Sequence, residues 1–313
     1  MIICSSDCIL YPEDVSKAMS TLHNKSSDYK EVRMVFGSVI GHIATTRGSE
    51  PWSPQLIQSC MSGFSSMDDK NNVILKGVKK MTSLIISSDN DMWTFDAVAH
   101  CLRGLQCMRA ETKEIKAILE ALTKKLRYDI DVSTNVSNVT FEVLAIGMLG
   151  LQRMNSQSNE VKQLLKGFTV YVNKRINFNT ESHFAMSLSH CLVGICRMNI
   201  HHAEVYSLVD SLARKINAVS YQTIEEFAEG GFGQPSTLKI LIRSLSNYSS
   251  DYQATTKLLK AIVLQHDKAR KCLGGSRLRS HDFLGIFFGF KNCSNSQHDV
   301  DMCLKLLVDS VMQ

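Results

Sequence analysis

Five clusters of cationic side chains stand out by residue type and spacing: Lys79 with Lys80; Lys124, Lys125 and Arg127; Lys174 with Arg175; Arg214 with Lys215; and Lys268, Arg270 and Lys271, extended by Arg277 and Arg279. Lysines and arginines in series neutralise phosphates, and release of condensed counterions then gives affinity without sequence selectivity. Between Lys257 and Arg279 seven basic residues stand against one acid, Asp267. The competing reading is local. A cation near the C-terminus of any helix complements the macrodipole there, and the net charge is only +5.

Other chemistries leave a fainter trace. Glu225-Glu226-Phe227-Ala228-Glu229-Gly230-Gly231-Phe232-Gly233 combines carboxylates with glycines, but its place between two periodic segments predicts a connecting loop. His201-His202 falls in an expected turn, and His100 and His190 share one helical position, so all four read as surface or satisfied histidines. There is no strand, Gly-rich loop and helix in series, no HExxH, no nucleophile elbow and no CxxC pair. The expectation is a non-catalytic chain with no cofactor and no metal site.

The ten cysteines are scattered. Cys101 and Cys191 share one repeat position where a small apolar residue packs, so the reading is buried free thiols. With 313 residues, 44% hydrophobic, and four prolines, the chain can bury a large core. No apolar run reaches the ~18 residues of a membrane span, and the first residues resemble neither a secretory nor a mitochondrial leader. A cytoplasmic or nuclear protein without membrane contact is expected. The Asn-x-Ser/Thr triplets at Asn24, Asn135, Asn138, Asn247 and Asn292 then read as ordinary loop residues.

What must position the cations is a repeat. A short motif recurs with Thr21, Gly63, Gly104, Gly150, Gly194, Ser244 and Gly289 at one anchor position, spaced from 41 residues (Gly63 to Gly104) to 50 (Gly194 to Ser244). Gly104-Leu105-Gln106-Cys107-Met108, Gly150-Leu151-Gln152-Arg153-Met154 and Gly194-Ile195-Cys196-Arg197-Met198 are its clearest copies, and Ser26-Ser27-Asp28-Tyr29 recurs as Ser249-Ser250-Asp251-Tyr252. A period of this size indicates stacked helix pairs, each too small to bury a core alone. The repeats fall at about 10–46, 52–87, 93–130, 139–177, 183–219, 233–272 and 278–313.

Each repeat reads as helix A followed by helix B. Pro12, Pro54 and Pro235 lie nine residues before their anchors, where proline suits a first helical turn. Ser53, Thr94 and Thr140 are N-caps. The pairs Leu10/Val15, Trp52/Ile57, Trp93/Val98, Val139/Leu144 and Leu278/Phe283 have hydrophobic-staple spacing, which makes both tryptophans structural. Apolar residues six and two before the anchor and one and four after it form the core stripe, so Met108 and Met154 are core residues. Glycine at the anchor implies close approach of a neighbouring helix. Helix B opens on an acid ten residues past the anchor, as in Glu31, Glu114, Glu160, Glu204 and Asp299.

A base-reading array needs polar side chains at fixed helix-A positions, and the second and third residues past the anchor vary suitably: His23-Asn24, Ser65-Ser66, Gln106-Cys107, Gln152-Arg153, Cys196-Arg197, Ser246-Asn247 and Lys291-Asn292. Any solvated helix end varies in the same way, and no interleaved aromatics support stacking on bases.

Proline near the start of helix A, with Glu31-Val32-Arg33 and Glu160-Val161-Lys162 opening helix B, resembles HEAT and armadillo-type repeats over essentially the whole chain. The Gly-Leu-Gln-x-Met motif also looks like the 40-odd-residue helical repeats of protist proteins and, distantly, like the octotricopeptide class of organellar RNA binders, whose repeat is shorter. The first resemblance implies an all-α, right-handed α-α superhelix of about seven two-helix repeats, a scaffold that binds a protein partner through its surface. The alternative rests on the cationic clusters: they are expected at the C-terminal ends of successive B helices, where stacking would align them into one basic edge, and an RNA-binding solenoid would use that edge. Both ends cut the array at repeat boundaries without an added polar cap, which suggests end-to-end self-association or part of a longer array.

Overall fold

A computed structural model describes residues 10–43, 52–132, 139–176, 183–219, 231–272, 280–293 and 298–312. These residues form fourteen α-helices: α1 (Pro12–Ser20), α2 (Lys30–His42), α3 (Pro54–Ser62), α4 (Asn72–Ser87), α5 (Phe95–Gly104), α6 (Lys113–Val132), α7 (Phe141–Leu149), α8 (Asn159–Lys174), α9 (Phe184–Ile195), α10 (Ala203–Ala218), α11 (Pro235–Ser244), α12 (Gln253–Cys272), α13 (Ser280–Gly289) and α14 (His298–Met312). Odd-numbered helices are the expected A helices and even-numbered ones the B helices. Among the described residues there is no strand, and no helix is long and apolar enough to cross a membrane.

The start signals act as their chemistry predicts. Pro12, Pro54 and Pro235 each occupy the first helical turn, where the missing N–H has no intrahelical role. Ser53, Thr94 and Thr140 each accept a backbone N–H at 3.3 Å, from Leu56, Ala97 and Val143 respectively. Helix α9 differs: His183 precedes it with φ 56°, in the left-handed region, and makes no side-chain cap. Between A and B helices, Ser26, Asp68, Asn155, Asn199 and Ser249, all five residues past their anchors, turn the chain by accepting the N–H two residues on.

Internal packing divides the chain into two compact units, one within residues 1–135 and 146–167, the other within 136–145 and 168–313. In the first unit α1, α3 and α5 pack in series, as do α2, α4 and α6. The anchor glycines explain how closely. A Cβ on Gly63, Gly104 or Gly150 would fall 2.3, 2.2 and 2.2 Å from the carbonyl oxygens of Met19, Met61 and Leu102, each two residues before the preceding anchor. The core stripe of Val15, Met19, Ile57, Met61, Val98, Leu102, Leu105 and Met108 is fully buried. Phe36 and Phe64 meet edge-on, 5.0 Å between centroids, and the flank of Phe36 needs the space that Gly77 leaves.

In the second unit α11 packs between α9 and α13, and α12 between α10 and α14. Gly289 lies against Ile242, whose carbonyl would be 2.6 Å from an added Cβ. Phe184 stacks on Phe141 at 4.9 Å and tilts against Phe232 at 5.6 Å. Phe232 belongs to the Gly-rich stretch, of which only Gly231 onward is described; Glu225 to Gly230 lie outside the described residues, as do Leu278, Asn135 and Asn138. Gly231 has φ 74°, a conformation that favours glycine, and the turn it makes delivers Phe232 to the core.

Candidate functional surfaces

The cationic clusters do not all occupy helix ends. Helix α4 runs on to Ser87 because its apolar stripe continues through Met81 and Ile85, so Lys79 and Lys80 sit mid-helix. Lys124, Lys125 and Arg127 likewise fall short of the last turn of α6, which runs on to Val132, whereas Lys174, Lys215, Arg270 and Lys271 do lie in last turns.

Lys80 and Lys125 reach backwards to the preceding B helix. The Lys80 ammonium donates to the Ile40 carbonyl at 2.8 Å, at the end of α2. Lys125, 3% exposed, donates to the Ser88 carbonyl at 2.7 Å and to Asn90 Oδ1 at 2.6 Å, just past α4, and lies 5.7 Å from the centre of the Trp93 ring. Burial holds both ammonium groups below the usual lysine range. Gln265 plays the same part in the second unit, donating to the carbonyls of Ile216 and Val219 at the end of α10. These side chains satisfy carbonyls that a helix end leaves without intrahelical partners.

The remaining cations divide by partner. Lys124 pairs with Glu120, Arg214 with Asp210, and Arg270 and Lys271 with Asp267. Arg127 donates to Gln163, while Arg175 and Lys215 are half-buried. Lys79, Lys174 and Lys268 are exposed. Arg277 and Arg279 lie outside the described residues. An open cavity of about 370 Å³ holds Arg214, Lys257 and Lys260 with Asp299, but Lys257 is bound to Asp210 at 3.1 Å and Lys260 to Asp299 at 2.7 Å.

The variable polar positions past the anchor form a ladder between repeats. Gln106 donates to the Ser65 carbonyl at 2.8 Å, Gln152 to Gln106 at 3.2 Å and Arg153 to Cys107 at 3.1 Å. In the second unit Asn247 donates to Cys196 at 2.8 Å and Asn292 to Ser246 at 2.5 Å. Asp69 is 3% exposed and accepts the Arg109 backbone N–H at 3.2 Å. Burial pushes its carboxyl up, as does the hydrogen bond it donates to Asp68, against the pull of that Arg109 N–H.

Sequence reasoning missed the backward reach of Lys80, Lys125 and Gln265, which no pattern within one repeat reveals. It also missed a third cysteine in the Cys101 and Cys191 register: Cys60 lies three residues before Gly63. All three are fully buried, and burial pushes the Cys60 thiol up to about 12 and the other two higher still. His100 Nδ1 lies 3.0 Å from the Asp96 carbonyl, and exposed His201 meets the Tyr252 hydroxyl. Of the staple tryptophans Trp93 is 3% exposed and donates its indole N–H to Ser88 Oγ at 2.8 Å, while Trp52 is half-buried.

The geometry defines the class of protein: all-α, with repeat-like helix pairs packed in sequence, A on A and B on B within each unit. No protein-family model, no curated protein and no solved structure matches this chain.

Proposed function

We propose that this chain is a non-catalytic helical-repeat scaffold, a right-handed α-α superhelix of the HEAT and armadillo kind, that binds a protein partner through its helix surface. The observation that carries this reading is how the polar chemistry is spent. Several basic side chains cap helices or meet carboxylates, and polar groups past the anchors bond to neighbouring repeats, whereas apolar side chains remain in solvent. Met186 on α9 is 46% exposed and Ile240 on the adjacent α11 is 39% exposed. Exposed apolar side chains on neighbouring helices suit a protein surface better than a phosphate backbone.

A second reading, an RNA-binding solenoid, draws on Lys79, Lys174 and Lys268, exposed cations on three B helices. Two variants separate the readings: Met186→Asp with Ile240→Asp, and Lys79→Glu with Lys174→Glu and Lys268→Glu. Binding of the purified protein to pooled single-stranded RNA is measured across a salt series, beside affinity capture of cellular proteins. Protein capture lost in the first variant and kept in the second, with weak RNA binding, supports the scaffold. RNA binding that falls steeply with salt and disappears in the second variant overturns it.

A further inference from the structure

The A helices α9 and α11 differ in charge from every other A helix. From His183 to His202 and from Gly231 to Ser250 there is no aspartate or glutamate, whereas each other A helix has one in the helix or in the turn after it: Glu13 in α1, Asp68 after α3, Asp96 in α5, Glu142 in α7 and Asp282 in α13. The two helices pack side by side, and α13 lies on the far side of α11, so the surface they share flanks the series of repeats and does not end it. Along α9 and the turn after it, Met186, His190, Val193 and Arg197 fall on one face by their spacing of four, three and four, as do Ile240 and Arg243 along α11. His190 and Val193 are half-buried and the other four are exposed.

The surface is apolar toward the helix N-termini, at Met186 and Ile240, and cationic toward the C-termini, at Arg243 and Arg197. Among the described residues neither arginine has a carboxylate partner; Arg243 meets the Phe288 ring at 5.9 Å. An open cleft of about 340 Å³ lies at the cationic end, with Arg197, His201, Asn247 and Tyr252 in its lining. Asn247, one helical turn past Arg243, donates to the Cys196 carbonyl at 2.8 Å and keeps a second amide N–H. No described acid lines the cleft: Asp251, the first acid past α11, accepts from the Ser249 hydroxyl at 2.8 Å.

We propose that the occupant of the α9 and α11 surface is an acidic, apolar peptide segment of the partner protein, which lays apolar side chains on Met186 and Ile240 and sends a carboxylate into the cleft to meet Arg197, with Arg243 beside it. The proposal rests on the scaffold reading above and adds the chemistry of the partner. Charge complementarity selects this occupant. A surface with no carboxylate and two guanidiniums without one repels a basic segment and pairs with an acidic one, and the guanidinium fork matches a carboxylate. A nucleic-acid strand would set phosphates along the same line and leave Met186 and Ile240 without apolar contact.

The whole chain is panned against a phage library of random twelve-residue peptides, and recovered peptides are synthesised with a fluorophore for anisotropy. They should combine carboxylates with large apolar residues and bind at micromolar concentration. Affinity should fall at least tenfold for Arg197→Glu with Arg243→Glu, fall as far for Met186→Asp with Ile240→Asp, and change little for Lys79→Glu with Lys174→Glu, which alters net charge equally but on B helices. All these side chains are exposed, so each variant should keep the native circular dichroism spectrum. Neutral or basic peptides, an empty selection, or equal affinity for wild type and the arginine variant overturns the proposal. Loss with Met186→Asp and Ile240→Asp but not with the arginine variant overturns the acidic occupant and leaves the scaffold reading standing. Pooled single-stranded RNA that binds wild type and not the arginine variant overturns both. A dimer in sedimentation that Met186→Asp with Ile240→Asp dissolves overturns the proposal by making the occupant a second copy.

Discussion

The two units join their repeats by different chemistry. In the first unit A helices meet through backbone: three anchor glycines lie against carbonyls, where an added Cβ would come within 2.2–2.3 Å, and the rungs above them are the Gln106 and Gln152 amides and the Arg153 guanidinium on carbonyls. In the second unit Gly289 still meets the Ile242 carbonyl, but the anchor of α11 is Ser244, which carries a Cβ, and much of the joining is polar. Lys239 binds Asp282, Lys257 binds Asp210, Lys260 binds Asp299, and Gln265 and His266 are buried in α12. Backbone contact depends on shape alone, whereas ion pairs and a buried imidazole depend on salt and pH. One repeat motif thus supports a joint that is geometrically strict and a joint that is chemically conditional.

The strict joint should break hardest. Gly104→Ala places a methyl on the Met61 carbonyl, and because backbone cannot yield as a side-chain tip does, the expected loss is about 3 kcal/mol, the upper range for overpacking. Gly41→Ala is the control, since nothing lies within 4 Å of an added Cβ there, and helix propensity then predicts a gain of up to about 1 kcal/mol. Urea unfolding of the two variants checks both. Equal and small effects would show that the anchors are not close contacts.

Next in size comes Gln265→Leu, which removes both donors from the Ile216 and Val219 carbonyls inside a buried site. The Ile216 carbonyl keeps the Val219 N–H at 3.2 Å, but the Val219 carbonyl loses its donor, which should cost about 2 kcal/mol. The matching change in the first unit is Lys125→Met, which frees the Ser88 carbonyl; because solvent is nearer there, its loss should be the smaller one.

His266 makes the conditional joint depend on pH. Its Nδ1–H donates to the Phe232 carbonyl at 2.6 Å, and its Nε2 is buried without a partner among the described residues. Burial holds the imidazole below its ordinary 6.5, with Arg270 adding to the effect and the Phe232 bond and Asp267 opposing it. The unfolded chain therefore takes up the proton first. Stability from the neutral form is fully present above pH 6.5 and falls as pH drops below it, until the lower folded value is reached, at no more than about 1.4 kcal/mol per pH unit. His266→Asn keeps a donor and removes the titration, so its unfolding midpoint should vary less between pH 7.5 and 5 than that of the wild type.

These contrasts also mark what the sequence could reveal. The helix pairs were legible because proline, the N-caps and the four-position apolar stripe are all read within one repeat. The anchor glycine predicted close approach correctly, since only a backbone contact explains an absent side chain at a packed, recurring position. The ladder was only half legible: the polar positions past the anchor stood out, but their partners lie one repeat away, and Gln106 looks the same whether it faces solvent or the Ser65 carbonyl. The cations were legible as charge and not as geometry. Nothing local distinguishes Lys79, in solvent, from Lys80, which caps α2; the length of α2 decides that. Binding through the cations or through Met186 and Ile240 is a property of a partner, which no spacing in this chain encodes.

The smallest expected effect tests the conditional joint most finely. Lys257 is 42% exposed and binds Asp210, which Arg214 also holds at 3.1 Å. Lys257→Met keeps the aliphatic stem and leaves the carboxylate one cation, so solvent screening and the remaining partner should confine the loss to less than about 0.5 kcal/mol. Lys239→Met should lose more, about 1 kcal/mol, because its partner Asp282 is only 8% exposed and screening is weaker there. Raising salt from 0.05 to 0.5 M should shrink the Lys257 loss and leave Gly104→Ala unchanged. If Lys257→Met and Gly104→Ala respond to salt alike, the two units are not joined by different chemistry, and the contrast drawn from their anchors falls.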